Sequence, residues 1–254
     1  MSGARIEKRG PLGILRLDKA RGNAIDEALA DDLIRAAAEI ADDASVRGVL
    51  LASAHPKLFC PGLDLVALYE YDRMAMQGFI AKFGQAVLGL FALRKPVVAA
   101  VAGHAVAGGC VLALTGDHRV LRRGSQIGLN EVRVGIPLPW SVAILLKNAI
   151  APAALSRVAL LGLNFKDEDA VAVGLGHEVL EAEGFEDACL ARLQEFADRD
   201  TAAVGTTKAY LRDSALREMR AQEAAREGEF LDAWFSPVGR AKIKETVDSL
   251  IRKA

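Results

Sequence analysis

Gly103-His104-Ala105-Val106-Ala107-Gly108-Gly109-Cys110 joins two apolar runs, Val97 to Val101 before it and Cys110 to Thr115 after it. The first run follows Pro96 and reads as a strand buried on both faces; the second, closed by Gly116, reads as a short buried helix whose N-terminus is built from glycines. Glycine at such a junction lets consecutive backbone N–H groups point outward, and a helix starting just beyond adds the positive end of its dipole. That arrangement suits a developing oxyanion, although an ordinary tight strand-to-helix turn has the same composition. Phe59-Cys60-Pro61-Gly62-Leu63-Asp64-Leu65 is a second stretch of this kind.

Outward from these junctions the pattern alternates. Gly13 to Leu17 and Gly48 to Ala52 read as strands, with a helix from about Asp26 to Asp42 between them and another from Met74 to Leu93. Short strands follow at His118 to Leu121 and Gln126 to Leu129. This is the rhythm of an α/β core. From Trp140 onward the pattern is almost entirely helical, with amphipathic segments at Ser141 to Ile150, Ala153 to Leu161, Glu186 to Ala197 and Leu216 to Trp234. We assign residues 1–195 to the α/β core and 196–254 to a helical C-terminal region. The last segment sets Ile243, Val247, Leu250 and Ile251 on one face, for docking on its own core or for a subunit contact.

Composition excludes several classes. Of 254 residues, 52% are hydrophobic and 26% charged, enough for a substantial core. The formal net charge is -1, with 32 basic against 33 acidic residues, so no positive field draws the chain to nucleic acid. No apolar run reaches the roughly 18 residues of a bilayer span, and Met1 to Gly10 lacks a signal-peptide core; no membrane association and a cytoplasmic location are the expectation. Cys60, Cys110 and Cys189 are expected to be reduced thiols, and the four histidines lack metal-ligand spacing, so no metal site is expected. Nucleophile-elbow and Walker A sequences do not occur, and Gly174-Leu175-Gly176-His177-Glu178-Val179 lacks the third glycine of a dinucleotide fingerprint.

Ile127-Gly128-Leu129-Asn130-Glu131-Val132-Arg133-Val134-Gly135-Ile136-Pro137 sets a glutamate among apolar neighbours just before a Pro-initiated helix. A carboxyl in such a setting can have its pKa raised toward neutrality, which suits it to take and return a proton, though an ion-paired or helix-start carboxylate is the more ordinary fate. Asp64 and Asp117 read first as structural caps.

Together these stretches resemble the crotonase superfamily, the enoyl-CoA hydratase/isomerase proteins. The likeness runs from Leu17-Asp18-Lys19-Ala20-Arg21-Gly22-Asn23-Ala24-Ile25, similar to the family's early loop near the bound CoA, to the helical tail containing Phe230, Phe235 and Ser236. It implies a ClpP-like spiral of ββα units with a helical trimerisation region, assembled as a homotrimer or homohexamer, whose C-terminal helices complete a neighbour's CoA pocket. It also implies an acyl-CoA substrate and no cofactor beyond that thioester. The N–H groups of Leu63 and Gly108 would form the oxyanion hole, with Arg21, Ala24, Lys57, Cys60, Gly62, Asp64, Leu65, Gly109, Val111 and Pro137 around the substrate. Hydratases of the family use two glutamates. Here the first of those positions is Val111 and the second is Glu131. That pattern, with Ala113-Leu114-Thr115-Gly116-Asp117-His118-Arg119, looks especially like the Δ3,Δ2-enoyl-CoA isomerase branch, in which one glutamate is the sole acid/base. Hydratase or other crotonase chemistry, and a non-catalytic acyl-CoA-binding protein, are the alternatives.

Overall fold

The computed structural model describes residues 3–253. Strand β1 (Ala4–Arg9) forms an antiparallel hairpin with β2 (Leu12–Leu17). The short turn α1 (Ala20–Asn23) and helix α2 (Glu27–Asp42) lead to β3 (Gly48–Ser53), which pairs in parallel with β2. From here the chain repeats one move. A strand in the large sheet is followed by a short strand in a second sheet and then by helix. The first turn of the spiral is β3, β4 (Leu58–Cys60), then α3 (Leu65–Leu68) and α4 (Arg73–Phe91). The second is β5 (Val97–Val101), β6 (His104–Val106) and α5 (Gly108–Leu114). The third is β7 (His118–Arg122), β8 (Gln126–Gly128), a 3-10 turn at Glu131–Val134 and α6 (Trp140–Ala149). With β9 (Asn164–Lys166), α7 (Asp167–Ala172) and β10 (Glu178–Leu180), the large sheet runs β1-β2-β3-β5-β7-β10 and the small one β4-β6-β8-β9. This is a spiral of ββα units, and helices α8 (Phe185–Ala197), α9 (Thr201–Phe235) and α10 (Pro237–Lys253) complete it.

Local chemistry accounts for the elements. Asp26 accepts from the Leu29 N–H at 3.0 Å and starts α2, whose Leu29, Leu33, Ala36, Ala37 and Ile40 face the core at helical spacing. Asp72 caps α4 in the same way through the Ala75 N–H. Helix α4 is long and apolar enough to cross a membrane, yet Met76, Phe79, Phe83 and Leu90 are buried in the common core, so it is the central helix of this fold. Strands β3 and β5 are buried along their whole length, as parallel strands covered on both sides require.

Several expectations change. β1 offers few apolar residues and lies at the sheet edge, where polar side chains are tolerated; its sequence carries no strand signal. The tail is not almost wholly helical, because β9 and β10 intervene, each of three residues and too short to show alternation. Residues 153–161 form a 3-10 turn (Pro152–Ala154) and a π turn (Ser156–Leu160) instead of a regular helix. Helix α9 begins at Thr201, well before Leu216. Position 195 falls inside the last turn of α8, and the helical path breaks only at 198–200. The C-terminal helices share the main core through Met219, Trp234 and Ile243.

One ionic cluster fastens α9 to the spiral. Asp117, between α5 and β7, accepts from the Val97 N–H at 2.7 Å, from Lys208 Nζ at 2.6 Å and from Arg212 Nη2 at 2.6 Å. Lys208 and Arg212 are 5% and 7% exposed, and they donate further to the carbonyls of Lys95, Phe91 and Thr115. Burial pushes the Lys208 pKa down to about 8 against the pull of Asp117. Asp117 is therefore an anchor for two buried cations and not merely a cap. Asp117→Ala leaves both without their counter-ion and is expected to lower unfolding free energy by about 3–5 kcal/mol. Urea unfolding at constant pH measures this; a loss under about 1 kcal/mol would show that the cluster is dispensable.

Candidate active site

The two glycine stretches meet. Ile25 lies between them as a splint: its N–H donates to Gly62 O at 2.8 Å, and its carbonyl accepts from the Asp64 N–H at 2.8 Å. Leu63 is thereby fixed between two bonded neighbours, and its own N–H has no partner among the described residues. Gly62 adopts φ 103°, a conformation that L side chains rarely take, and a Cβ there would stand 2.9 Å from Ala107 Cβ and 3.2 Å from Gly108 N. On the other stretch, a Cβ on Gly109 would fall 1.9 Å from Cys60 O, so only glycine allows α5 to press against the end of β4. Gly108, the first residue of α5, also keeps its N–H free of any partner among the described residues. A Cβ on it would lie 3.3 Å from Gly62 Cα. Two unengaged backbone donors from loops 45 positions apart thus sit side by side.

Both face a cavity of about 730 Å³ whose wall is mostly apolar. Glu131 joins the same wall from the 3-10 turn after β8, which closes at Gly135 in the left-handed conformation. It is 8% exposed, and its Oε2 is buried with no hydrogen-bond partner among the described residues. Burial pushes its pKa up to about 7, resisted only by its own N–H. Such a group changes protonation at neutral pH, as a general base requires. Val111, one turn into α5, is 1% exposed and lines the same cavity. Asp64 is the other carboxylate in the wall; it caps α3 through the Ala67 N–H at 3.2 Å and lies 3.7 Å from Arg21 and 4.0 Å from Lys19.

Of the residues expected at the site, Arg21, Ala24, Leu63, Asp64, Leu65, Gly108, Val111 and Glu131 line the cavity. Cys60, Gly62 and Gly109 lie buried behind the wall; the Cys60 thiol donates to Asn23 O at 3.1 Å, and burial pushes its pKa up to about 12, which leaves it unreactive. Lys57 is exposed and outside the wall, meeting the site only through its carbonyl, which accepts from the His104 N–H. Pro137 is also outside, because the chain turns so that Ile136 and Pro139 face inward; Pro137 lines a smaller neighbouring cavity instead. Residues without a sequence signal complete the wall: Asn130 beside Glu131, Ile80 and Phe83 from α4, Phe230 from α9, and Thr246, Leu250 and Ile251 from α10. The C-terminal helices therefore line this chain's own cavity. Ile243 and Val247 hold α10 in the core, while Leu250 and Ile251 are half-exposed at the cavity.

Known proteins similar to this chain are numerous. Human mitochondrial enoyl-CoA delta isomerase 1 is 28% identical over 216 residues, covering 84% of this chain and 72% of that protein. Carnitinyl-CoA dehydratase of Proteus mirabilis is 28% identical over 204 residues, covering 80% of this chain and 77% of the dehydratase. The crystal structure of human mitochondrial delta3-delta2-enoyl-CoA isomerase superposes with a TM-score of 0.94 at 25% identity, covering 99% of both chains. The model of the enoyl-CoA hydratase/isomerase family matches residues 8–249. A spiral shared over its whole length and a family match that runs nearly end to end mean that this chain belongs to the enoyl-CoA hydratase/isomerase family, the crotonase superfamily.

Proposed function

We propose that this chain is a Δ3,Δ2-enoyl-CoA isomerase, and the observation that carries the reading is the isolation of Glu131: a buried carboxyl whose Oε2 has no partner among the described residues, in the same cavity wall as Val111. In the proposed reaction the thioester carbonyl of a 3-enoyl-CoA lies between the N–H groups of Leu63 and Gly108. Ionised Glu131 takes a proton from C2; the electrons move onto the carbonyl oxygen, where the two donors stabilise the dienolate. Protonated Glu131 then returns the proton at C4, the double bond settles between C2 and C3, and the carboxylate is regenerated. Each preorganised donor is worth about 3 to 4 kcal/mol at such an oxygen. The apolar wall keeps water from the carboxyl, which both raises its pKa and leaves the proton nowhere else to go.

The relation to a dehydratase favours a second reading, in which the chain adds or removes water across the 2-enoyl bond. That chemistry asks for a second group to hold and activate water, and valine at 111 cannot serve. Assays on 3-enoyl-CoA and trans-2-enoyl-CoA separate the two readings, and calorimetry with CoA esters tests the non-catalytic one.

Glu131→Gln is expected to lower isomerase turnover by at least about 10²-fold with little change in CoA-ester affinity, since the amide keeps the shape and cannot accept the proton. In the unmodified enzyme the base form is lost as pH falls below its pKa, so kcat/KM should drop about tenfold per pH unit below about 7 and level off above it. Turnover within a few fold of the parent, or a profile flat down to pH 5, removes Glu131 from the role. Val111→Glu is expected to introduce hydration of trans-2-enoyl-CoA and to move the isomerase profile to higher pH, because two adjacent carboxylates resist joint ionisation. Loss of the enoyl thioester chromophore reports the first effect and the pH–rate profile the second; neither appearing in a folded variant rules out position 111 as the switch.

A further inference from the structure

Next to the cavity that holds Glu131 lies a smaller one of about 100 Å³, and Ile80, Pro139 and Phe230 stand in the walls of both. Its own lining is polar in one direction. Glu223 on α9 accepts through Oε1 from the Ser141 hydroxyl at the start of α6, at 3.1 Å, while Oε2 is buried with no partner among the described residues. Ser141 is 1% exposed. Burial raises the Glu223 pKa, and the Ser141 hydroxyl and N–H oppose that shift. Glu227 and Glu229 line the same space. Arg226, the cation in that wall, lies over the Trp140 ring at 4.9 Å and is already paired with Glu229 at 2.9 Å. Three carboxyl groups around one engaged guanidinium repel an anion and favour a hydrogen-bond donor. A carboxylate accepts through both oxygens, so Oε1 can keep Ser141 while Oε2 takes an incoming O–H.

We propose that the small cavity receives the far end of the acyl chain and that Glu223 accepts a hydrogen bond from a hydroxyl there, so that the substrates of this enzyme are acyl-CoA thioesters carrying a distal hydroxyl group. This rests on the acyl-CoA reading of the main cavity. Entry requires the side chains shared by the two cavities, Ile80, Pro139 and Phe230, to part, and because all three are apolar the stretch of acyl chain that passes between them must be alkyl. A space of about 100 Å³ is the share of about three water molecules, room for the last carbons and their hydroxyl and little more. Selection therefore acts at one narrow range of chain length.

The test is calorimetry on the intact protein with saturated acyl-CoA thioesters, in pairs of equal length ending in methyl or in hydroxymethyl, across a ladder of lengths; saturated chains keep the measurement independent of turnover. At alkaline pH, where Glu223 is ionised, the hydroxyl form is expected within one range of lengths to bind about 10- to 100-fold tighter, the span for a hydrogen bond to a charged group. Glu223→Leu should erase that preference, and Glu223→Gln, which keeps an acceptor oxygen, should retain part of it. Ile80→Trp fills the shared wall and should erase it with Glu223 intact, which keeps the test open if the leucine variant does not fold. Equal affinity of both members at every length, or a preference that survives in Ile80→Trp or in folded Glu223→Leu, overturns the proposal and leaves Glu223 as a partner for the start of α6. Failure of every thioester to bind overturns it together with the acyl-CoA reading, whereas binding without preference overturns it alone.

Discussion

Everything at this site depends on holding two backbone N–H groups side by side with nothing to donate to. A buried donor without a partner is unfavourable, so the fold must make closing that gap worse than leaving it open. It does so by pinning the neighbours. Ile25 bonds to both sides of Leu63, and the Leu63 N–H is left without a partner among the described residues. Ala107 spends its own N–H on Gly128 O at 2.8 Å, so the start of α5 is fixed before Gly108 is reached. The contact of Gly109 with the Cys60 carbonyl then sets how near the second turn of the spiral stands to the first. The stacked ββα units are the means by which residues 25, 63, 108 and 128 come within a few ångströms of one another.

Glu131 is the electrostatic counterpart of that arrangement. The donors offer partial positive charge with no acceptor, and the carboxyl offers a buried oxygen, Oε2, with no donor among the described residues. An ion pair would have stabilised Glu131 and held it ionised far below neutrality. Its apolar surroundings instead leave the proton's place undecided near pH 7, and position 111, in the same cavity wall, is a hydrocarbon. Family membership fixes the acyl-CoA class of the chemistry, and the proposed isomerase reading turns on the identity of one side chain on α5.

Much of this is legible in the sequence. The glycines at 62, 108 and 109 mark places where backbone must come close, and Glu131 stands out as a charge in an apolar run, because both signals are local in sequence. Tertiary docking is not local. Asp117 carried no sign that residues 208 and 212 would close on it, and nothing about Phe230, Thr246 or Leu250 distinguishes a cavity wall from an ordinary amphipathic face. Lys57 and Pro137 fell outside the cavity for the same reason: adjacency to a motif does not fix the direction of a side chain, and each points away from the residue beside it that does reach the wall. The short strands β9 and β10 are defined by the sheets they extend, not by their three residues.

Helix α9 joins two of these features. Its Lys208 and Arg212 are clamped by Asp117, and eighteen residues beyond Arg212, about 27 Å along the helix at 1.5 Å per residue, Phe230 forms part of the cavity wall. The helix is a rigid arm with its pivot in the spiral and its working tip at the cavity. A small rotation at the pivot becomes a larger displacement at the tip. Differences in substrate preference among members of this family can therefore originate at positions that touch no part of the substrate, and a comparison confined to cavity-lining residues would miss them.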